Sequence, residues 1–348
     1  MDQAAAQAQN GNVVSLGSGT KPGGKHFKIL NRADILADPE PDWLIDGLYT
    51  QDSLAQVFGV PEAYKTFFAL GVACSVATGK PFLGTHEVQR TGDVVYIYGE
   101  GGRGIGKRLH AWEAYQDCEA VRFFGIPEPV DMLSNEPDRV IADIKAAGLE
   151  PVLIVLDTLA RCFGAGDENS TKDMNAFVAG CDKLRRAFPG CTVLVVHHCG
   201  WNDSRARGAR AWEGALDTAT QMERGAGNLA FLSVTKQKDF AKPSQKTALE
   251  LADVAKTGSA VLRLADAMKV KAVQDGTDEQ VLAVLRRAGE KGLLTNEMEK
   301  KLPNMNPHTL KTSRQRLKRA KLVELRDRRW YALPQPKVTP AMEAELQG

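Results

Sequence analysis

The chain has no C-x-x-C pair, no apolar run of membrane-spanning length and almost no net charge, +2 over 348 residues. Each absence excludes something. Six cysteines, at 74, 118, 162, 181, 191 and 199, are spread along presumed helices and strands with no C-x-x-C pair, so zinc spacing is lacking and small buried or half-buried thiols are expected. Met1-Asp2-Gln3 followed by Ala, Gln and Gly is no signal peptide, and the expectation is a cytoplasmic protein with no membrane contact. The composition is that of an ordinary globular protein, and the length suits two or so domains with a full α/β core. So small a net charge says nothing of partners until it is divided by region.

What is present begins with an apolar strand, Leu54 to Phe58, running through Gly59-Val60-Pro61-Glu62-Ala63-Tyr64 into Lys65-Thr66 and an Ala/Phe/Leu-rich helix. That is the outline of a phosphate-binding P-loop, G-x-x-x-x-G-K-[ST], in its strand-loop-helix setting. Loop and first-turn N–H groups converge on an anion there. Lys65 adds a point charge at the β/γ-phosphates of ATP, and the Thr66 hydroxyl is a Mg²⁺ ligand. The candidate phosphate-binding set is Gly59, Pro61, Glu62, Ala63, Tyr64, Lys65, Thr66 and Phe67. One position departs from the motif: Tyr64 stands where its last glycine belongs, and a side chain there crowds the phosphates or demands a costly backbone conformation. A strand-turn-helix with an incidental lysine is the rival reading of these residues.

The helix expected over Thr66–Thr78 stops at Gly79-Lys80-Pro81. Gly92–Tyr98 then reads as a strand buried on both faces. It runs into Gly99, Gly101 and Gly104, which spell G-x-G-x-x-G, yet no acidic residue ends a strand some twenty positions on, as a dinucleotide site requires. Glu100 matters more, an acid at the carboxyl end of a buried strand, where the crevice of an open α/β sheet lies. A helix from Arg103 to Glu119, a short strand near Val121–Phe124 and a helix near Pro137–Ala147 follow. Pro151–Asp157 is then an apolar run ending in one acid, a Walker B strand whose Asp157 stands opposite the Thr66 hydroxyl at Mg²⁺. Cys191–Val196 is another buried strand and ends in His197-His198, read either as packing residues or as a sensor of the γ-phosphate. The loop from Gly200 to Arg210 carries Trp201, Arg205, Arg207 and Arg210, suited to a phosphate backbone or a neighbour's nucleotide. The strand Leu229–Thr235 ends in Lys236-Gln237-Lys238, two lysines able to reach a subunit interface.

These residues resemble the RepA-like hexameric replicative helicases, which have a RecA-type ATPase core. The resemblance covers about Leu48 to Leu264 and rests on Lys65-Thr66, Tyr98-Gly99-Glu100-Gly101, Leu156-Asp157-Thr158-Leu159-Ala160-Arg161, Asp167-Glu168-Asn169, His197-His198, Arg207-Gly208 and Lys236-Gln237-Lys238. It implies that Glu100 polarises the attacking water, that Asp157 organises Mg²⁺, and that His198 is the sensor. It further implies that Arg207, with Lys236 or Lys238, is offered in trans to the next subunit's γ-phosphate. A trans cation makes hydrolysis depend on assembly.

Beyond Leu264 the sequence reads as a linker and then a winged helix: helices at Thr277–Ala288, from Gly292 and from Asn306-Pro307, then a hairpin tipped by Arg326-Asp327-Arg328-Arg329. Asp278 to Leu333 holds 14 Lys/Arg against 7 Asp/Glu, so this segment is +7 where the whole chain is +2. Its third helix can turn Leu310, Leu317 and Ala320 inward and its basic residues outward, to a major groove. A protein-docking module is the alternative. The expected organisation is a disordered tail (1–24), an arm (25–47), a RecA-like α/β ATPase domain with a mostly parallel sheet (48–265), a linker (266–277), a winged helix-turn-helix domain (278–334) and a tail (335–348). The expected activity is that of an ATP-dependent DNA helicase or helicase-like replication ATPase of a mobile element, a hexameric ring around single-stranded DNA with duplex DNA at the winged helix. The alternatives are an ATP-regulated DNA-binding regulator or partitioning factor without unwinding, and a strand-exchange recombinase.

Overall fold

In the strand over residues 54–59, Ala55 and Val57 belong to one hydrophobic cluster and Leu54 and Phe58 to another, and all four are buried. A strand apolar at both its odd and its even positions needs cover on both faces, and here it has it. The computed structural model describes residues 29–37, 41–99, 102–198 and 210–333. The tails expected at 1–24 and 335–348, and with them Glu100 and Arg207, lie outside the described residues.

Residues 1–40 and 41–348 form separate units. In the first, α1 (Arg32–Leu36) is one helical turn with a capping box, Asn31 and Asp34 each accepting the other's N–H. In the second, β1 (Trp43–Ile45) and β2 (Tyr49–Thr50) make a small antiparallel pair. There follow β3 (Leu54–Gly59), α2 (Lys65–Thr78), β4 (Asp93–Tyr98), α3 (Gly102–Gln116), β5 (Phe123–Ile126), α4 (Glu136–Ala146), β6 (Pro151–Asp157), α5 (Thr171–Ala187), β7 (Thr192–His198) and α6 (Arg210–Ala215). Then come β8 (Thr218–Arg224), β9 (Leu229–Gln237), β10 (Thr247–Val254) and β11 (Ser259–Leu264). The nine strands β3 to β11 form one sheet in the order β11-β10-β9-β8-β3-β7-β6-β4-β5. From β8 to β5 every pairing is parallel; from β8 out to β11 every pairing is antiparallel. Side chains of α2 and α3 join the cluster on one face, and those of α4, α5 and α6 the cluster on the other. This is the α/β architecture of a RecA-type P-loop core.

The apolar-run criterion passes over β8, β10 and β11. Their sequences, TATQMER, TALELADV and SAVLRL, mix buried with half-exposed positions, as antiparallel strands covered on one side do. The short strand expected near Val121–Phe124 lies two residues later, in β5. Described cysteines are unpaired, with Cys74, Cys162, Cys181 and Cys191 buried, and burial pushes those thiols up.

The segment 266–277 is not an open linker. It is the first half of α7 (Ala267–Ala288), and Thr277, expected as its cap, sits inside the helix with Oγ1 donating to Val273 O at 2.7 Å. After it come α8 (Thr295–Lys301), α9 (Pro307–Arg319) and the hairpin β12 (Val323–Arg326) and β13 (Arg329–Ala332), packed on a small core that includes Val281, Leu285, Met298, Leu310 and Leu317. α9 starts where expected, with Pro307 in its first turn and Asn306 Oδ1 accepting from Thr309 N at 2.7 Å. Its basic face is less free than the helical pattern suggests. Arg314 is buried over the Trp330 ring, its centroid 5.0 Å away, and Arg316 pairs with Asp278 at 2.6 Å.

Candidate nucleotide site

β3 ends in glycine because β8 passes close beside it: a Cβ at Gly59 would stand 2.1 Å from the Met222 carbonyl oxygen. The chain then turns through Val60 to Tyr64 and enters α2 at Lys65, leaving the first N–H groups of that helix without intrahelical acceptors. Tyr64 is the cap residue at φ 62°, ψ 23°, the left-handed conformation that glycine takes freely and a tyrosine takes at a cost on the order of 1 kcal/mol. The loop thus keeps the backbone expected of its missing glycine. The tyrosine ring lies against Arg224 at the end of β8, whose guanidinium carbon is 4.3 Å from the ring centroid, and meets Phe67 edge-on at 6.3 Å. Phe67 in turn lies under Arg108 of α3, 4.8 Å away.

Lys65 is buried, and its Nζ donates to Val60 O at 2.8 Å, which folds its charge back across the loop. Thr66, one residue on, stands 3.5 Å from Asp157 Oδ1 at the end of β6. The other oxygen of Asp157 accepts from the Tyr96 hydroxyl at 2.8 Å. Burial and the neighbouring Asp157 carboxylate push the Tyr96 phenol far up, so it stays a donor. A hydroxyl and a carboxylate are hard oxygen donors of the kind Mg²⁺ accepts alongside phosphate and water oxygens, so Thr66 and Asp157 fit that ion.

Parallel register fixes what else shares this edge of the sheet. Gly59 pairs with His198, Asp157 with Val196 and Tyr98 with Asp157, so β3, β7, β6 and β4 deliver Gly59, His198, Asp157 and Tyr98 at their carboxyl ends. His197 is buried with Nε2 3.8 Å from Glu168 Oε2, and neither ring nitrogen has a hydrogen bond among the described residues. Thr158 Oγ1, next to Asp157, is likewise buried without one.

Lys236 and Lys238 are not brought to this edge. β9 runs antiparallel to β8, and Lys236 pairs with Ala219 near the start of β8, at the end of the sheet where β3 begins. Lys236 Nζ donates to Glu213 O at 2.7 Å, closing the end of α6. Lys238 pairs with Asp217 Oδ1 at 3.1 Å, while Oδ2 of the same acid accepts from Leu54 N at 3.0 Å.

Two residues of the site escape the sequence reading. Tyr96 hides within an apolar strand, although a hydroxyl buried there has to find a partner. Arg224 sits on a strand that carries no apolar run, and only the sheet order puts it beside Tyr64.

A family model described as an AAA domain matches residues 27–204, just over half of the chain. The chain belongs to that AAA-domain family. The match spans the P-loop, the Walker B strand and β7, so the AAA domain is a P-loop-type ATPase domain that binds nucleotide. No curated protein matches the chain. No helix among the described residues is long and apolar enough to cross a membrane.

Proposed function

We propose that this AAA-domain protein is a RepA-like DNA helicase or helicase-like replication ATPase of a mobile element, hydrolysing ATP between the subunits of a hexameric ring in the cytoplasm. The observation that carries the reading is the meeting of Lys65, Thr66 and Asp157 at one edge of the sheet while Lys236 and Lys238 stand at the other. Within one chain the two lysines cannot serve the Lys65 site. In a head-to-tail ring, one subunit's far edge meets the next subunit's phosphate edge, and the same lysines, with Arg207, become the trans cations.

Lys65 exchanges the Val60 carbonyl for phosphate oxygens when nucleotide enters, and Tyr96 keeps Asp157 oriented. Thr66 and Asp157 would hold Mg²⁺, whose charge would offset that of the phosphates. Glu100 orients the attacking water, and His198, at the end of the strand beside β3, senses the γ-phosphate. The carboxyl-terminal helices and hairpin act as a winged helix that carries +7 to duplex DNA, while the ring holds the single strand.

A second reading, an ATP-controlled DNA-binding regulator or partitioning factor, draws on Tyr64, whose ring and stack distinguish this loop from a glycine-bearing one. Steady-state ATP hydrolysis with and without single-stranded DNA, on the wild type and on Lys65→Ala, separates the two. DNA-stimulated turnover lost in Lys65→Ala, followed by displacement of a labelled strand, supports the helicase. Tight ATP binding with no turnover on any DNA supports the regulator.

A further inference from the structure

The carboxyl-terminal module has two basic faces, and they differ in what lies in front of them. The first is the outer side of α9. Leu310, Ser313, Arg314 and Leu317 of this helix are buried, while Lys311, Gln315 and Arg319 line a cavity of about 490 Å³ that Glu223, Phe231 and Lys246 of the ATPase core line as well. At the start of the helix His308 holds the two together, its Nε2 3.3 Å from Glu223 Oε2. A gap of that volume suits a small molecule. A recognition helix has to be sunk in a major groove about 12 Å wide with a phosphate strand on either side, and here the ATPase core stands where that duplex would lie.

The second face is a groove of about 740 Å³ where the end of α7, the turn after it, α8 and the hairpin converge, and every residue that lines it belongs to the carboxyl-terminal module. Arg287, Lys291, Lys301 and Arg329 line it against one acid, Glu297. A helix dipole favours cations in the last turn, which is reason enough for Arg287 and Lys301 taken singly. It does not account for cations from four elements gathered round one groove, since like charges brought together repel unless an anion lies between them. Arg329 has structural work, donating from Nη1 to Gly292 O at 3.3 Å and to Glu297 Oε2 at 3.2 Å, so it ties the hairpin to α8 and occupies the acid. Arg287, Lys291 and Lys301 are exposed to solvent.

We propose that the module meets double-stranded DNA through this groove, with Arg287, Lys291 and Lys301 on the phosphates of one backbone, and not through the outer side of α9. This rests on the reading of the module as DNA-binding and names the face that does it. Val284 and Ala288, which also line the groove, suit the apolar edge of a deoxyribose. Phosphate contacts position a protein on DNA and carry no base sequence, so binding through this face is strongly salt-dependent and indifferent to sequence. α9 meanwhile fixes the module to the ATPase core through His308.

The test uses the full chain and a fluorescently labelled duplex of mixed sequence, its binding followed by anisotropy over a series of salt concentrations. One protein carries Arg287→Gln, Lys291→Gln and Lys301→Gln together; a second carries Lys311→Gln and Arg319→Gln on α9. All five positions are exposed, and equal thermal unfolding midpoints check that both proteins are folded. The groove protein is expected to bind the duplex on the order of 10-fold more weakly at low salt, with a salt slope shallower by about 2 to 3, the loss of three phosphate contacts. The α9 protein is expected to stay within about twofold of the wild type with its slope unchanged. A groove protein that binds like the wild type overturns the proposal, and a loss confined to the α9 protein returns the contact to that helix. Equal losses per charge removed in both proteins also overturn it, since they report net charge and not a face. A wild type that binds no duplex at any salt removes the DNA-binding reading itself, and the groove assignment with it.

Discussion

The two halves of the central sheet solve different problems. In the parallel half, β3, β6 and β7 are buried along nearly their whole length and each ends in a residue of the site: Gly59 opening the loop, Asp157, His198. Covered on both faces, such strands cannot shift without exposing one of them, and the groups at their ends inherit that rigidity. In the antiparallel half, charged residues occur along the strands and most have local partners. Glu250 takes Arg263, Glu223 takes Lys246, Lys238 takes Asp217, and Lys236 closes α6. One half holds chemistry in place; the other joins elements, including the carboxyl-terminal module through His308, whose Nε2 is 3.3 Å from Glu223.

The sharpest way to break this contrast is to remove one group from each half. Asp157→Asn or Lys65→Ala is expected to lower steady-state ATP turnover by about 10²- to 10³-fold, the scale for loss of a preorganised charge at a phosphoryl site. Lys236→Ala is expected to lower turnover comparably, but for a reason that lies in the neighbouring subunit. Mixing the Lys65→Ala and Lys236→Ala proteins separates the two. Random one-to-one mixing restores about a quarter of the interfaces if Lys236 acts in trans across a head-to-tail contact. A mixture as inactive as its parents makes Lys236 a local structural residue and withdraws the ring argument.

Next in size is Tyr96→Phe. The hydroxyl donates to Asp157 from a fully buried position, so its removal strips a charge-assisted hydrogen bond and leaves an oxygen of the acid without that donor. Turnover is expected to fall about tenfold and stability by about 1–3 kcal/mol, with a higher Mg²⁺ requirement. Titrating turnover against Mg²⁺ checks this; an unchanged Mg²⁺ dependence would show that Tyr96 serves packing alone.

How far the sequence discloses the molecule follows from the same contrast. β3, β4, β6 and β7 are legible because burial on both faces leaves continuous apolar runs, and Asp157 is legible because it is the one acid ending such a run. β8, β10 and β11 are not, because a strand with one covered face spends its alternate positions on polar residues, and TATQMER has no strong period. The start of α7 is read as a linker for a local reason. Asp275-Gly276 has low helical preference, yet the helix runs through it, so local propensity loses to the context of the longer helix. Arg224 beside Tyr64 is invisible to any local pattern, since residues 64 and 224 meet only once β8 lies next to β3.

The contact between the antiparallel half and the carboxyl-terminal module has its own titration. Burial pushes the Glu223 carboxyl up, but hydrogen bonds from His308 and Lys246 outweigh it and hold the group at about 2 against an ordinary 4.5. A carboxyl depressed on folding contributes stability that is fully present above 4.5 and is lost as pH falls towards 2. After allowance for solvent screening, the contribution is about 1–2 kcal/mol. Glu223→Gln is therefore expected to be less stable than the wild type by that amount at pH 7, with the difference closing between pH 4.5 and pH 2. Denaturant midpoints at pH 7, 4 and 3 check it, and a constant difference would place the effect in packing instead of charge.

The smallest effect belongs to Tyr64, where two terms of similar size oppose each other. Tyr64→Gly relieves a left-handed tyrosine, a gain on the order of 1 kcal/mol, and removes the ring from Arg224 and Phe67, a loss of about 0.5–1 kcal/mol for the cation–π contact together with some buried area. The net change in stability is expected to stay within about 1 kcal/mol, measured by denaturant unfolding. Turnover is the more telling readout. The backbone at position 64 already has the conformation glycine would give it, so the N–H groups offered to phosphate stay where they are and kcat should change less than about threefold. A large rise in kcat on Tyr64→Gly would mean that the ring itself, and not the backbone beneath it, restrains hydrolysis, and would make Arg224, which holds that ring, part of the restraint.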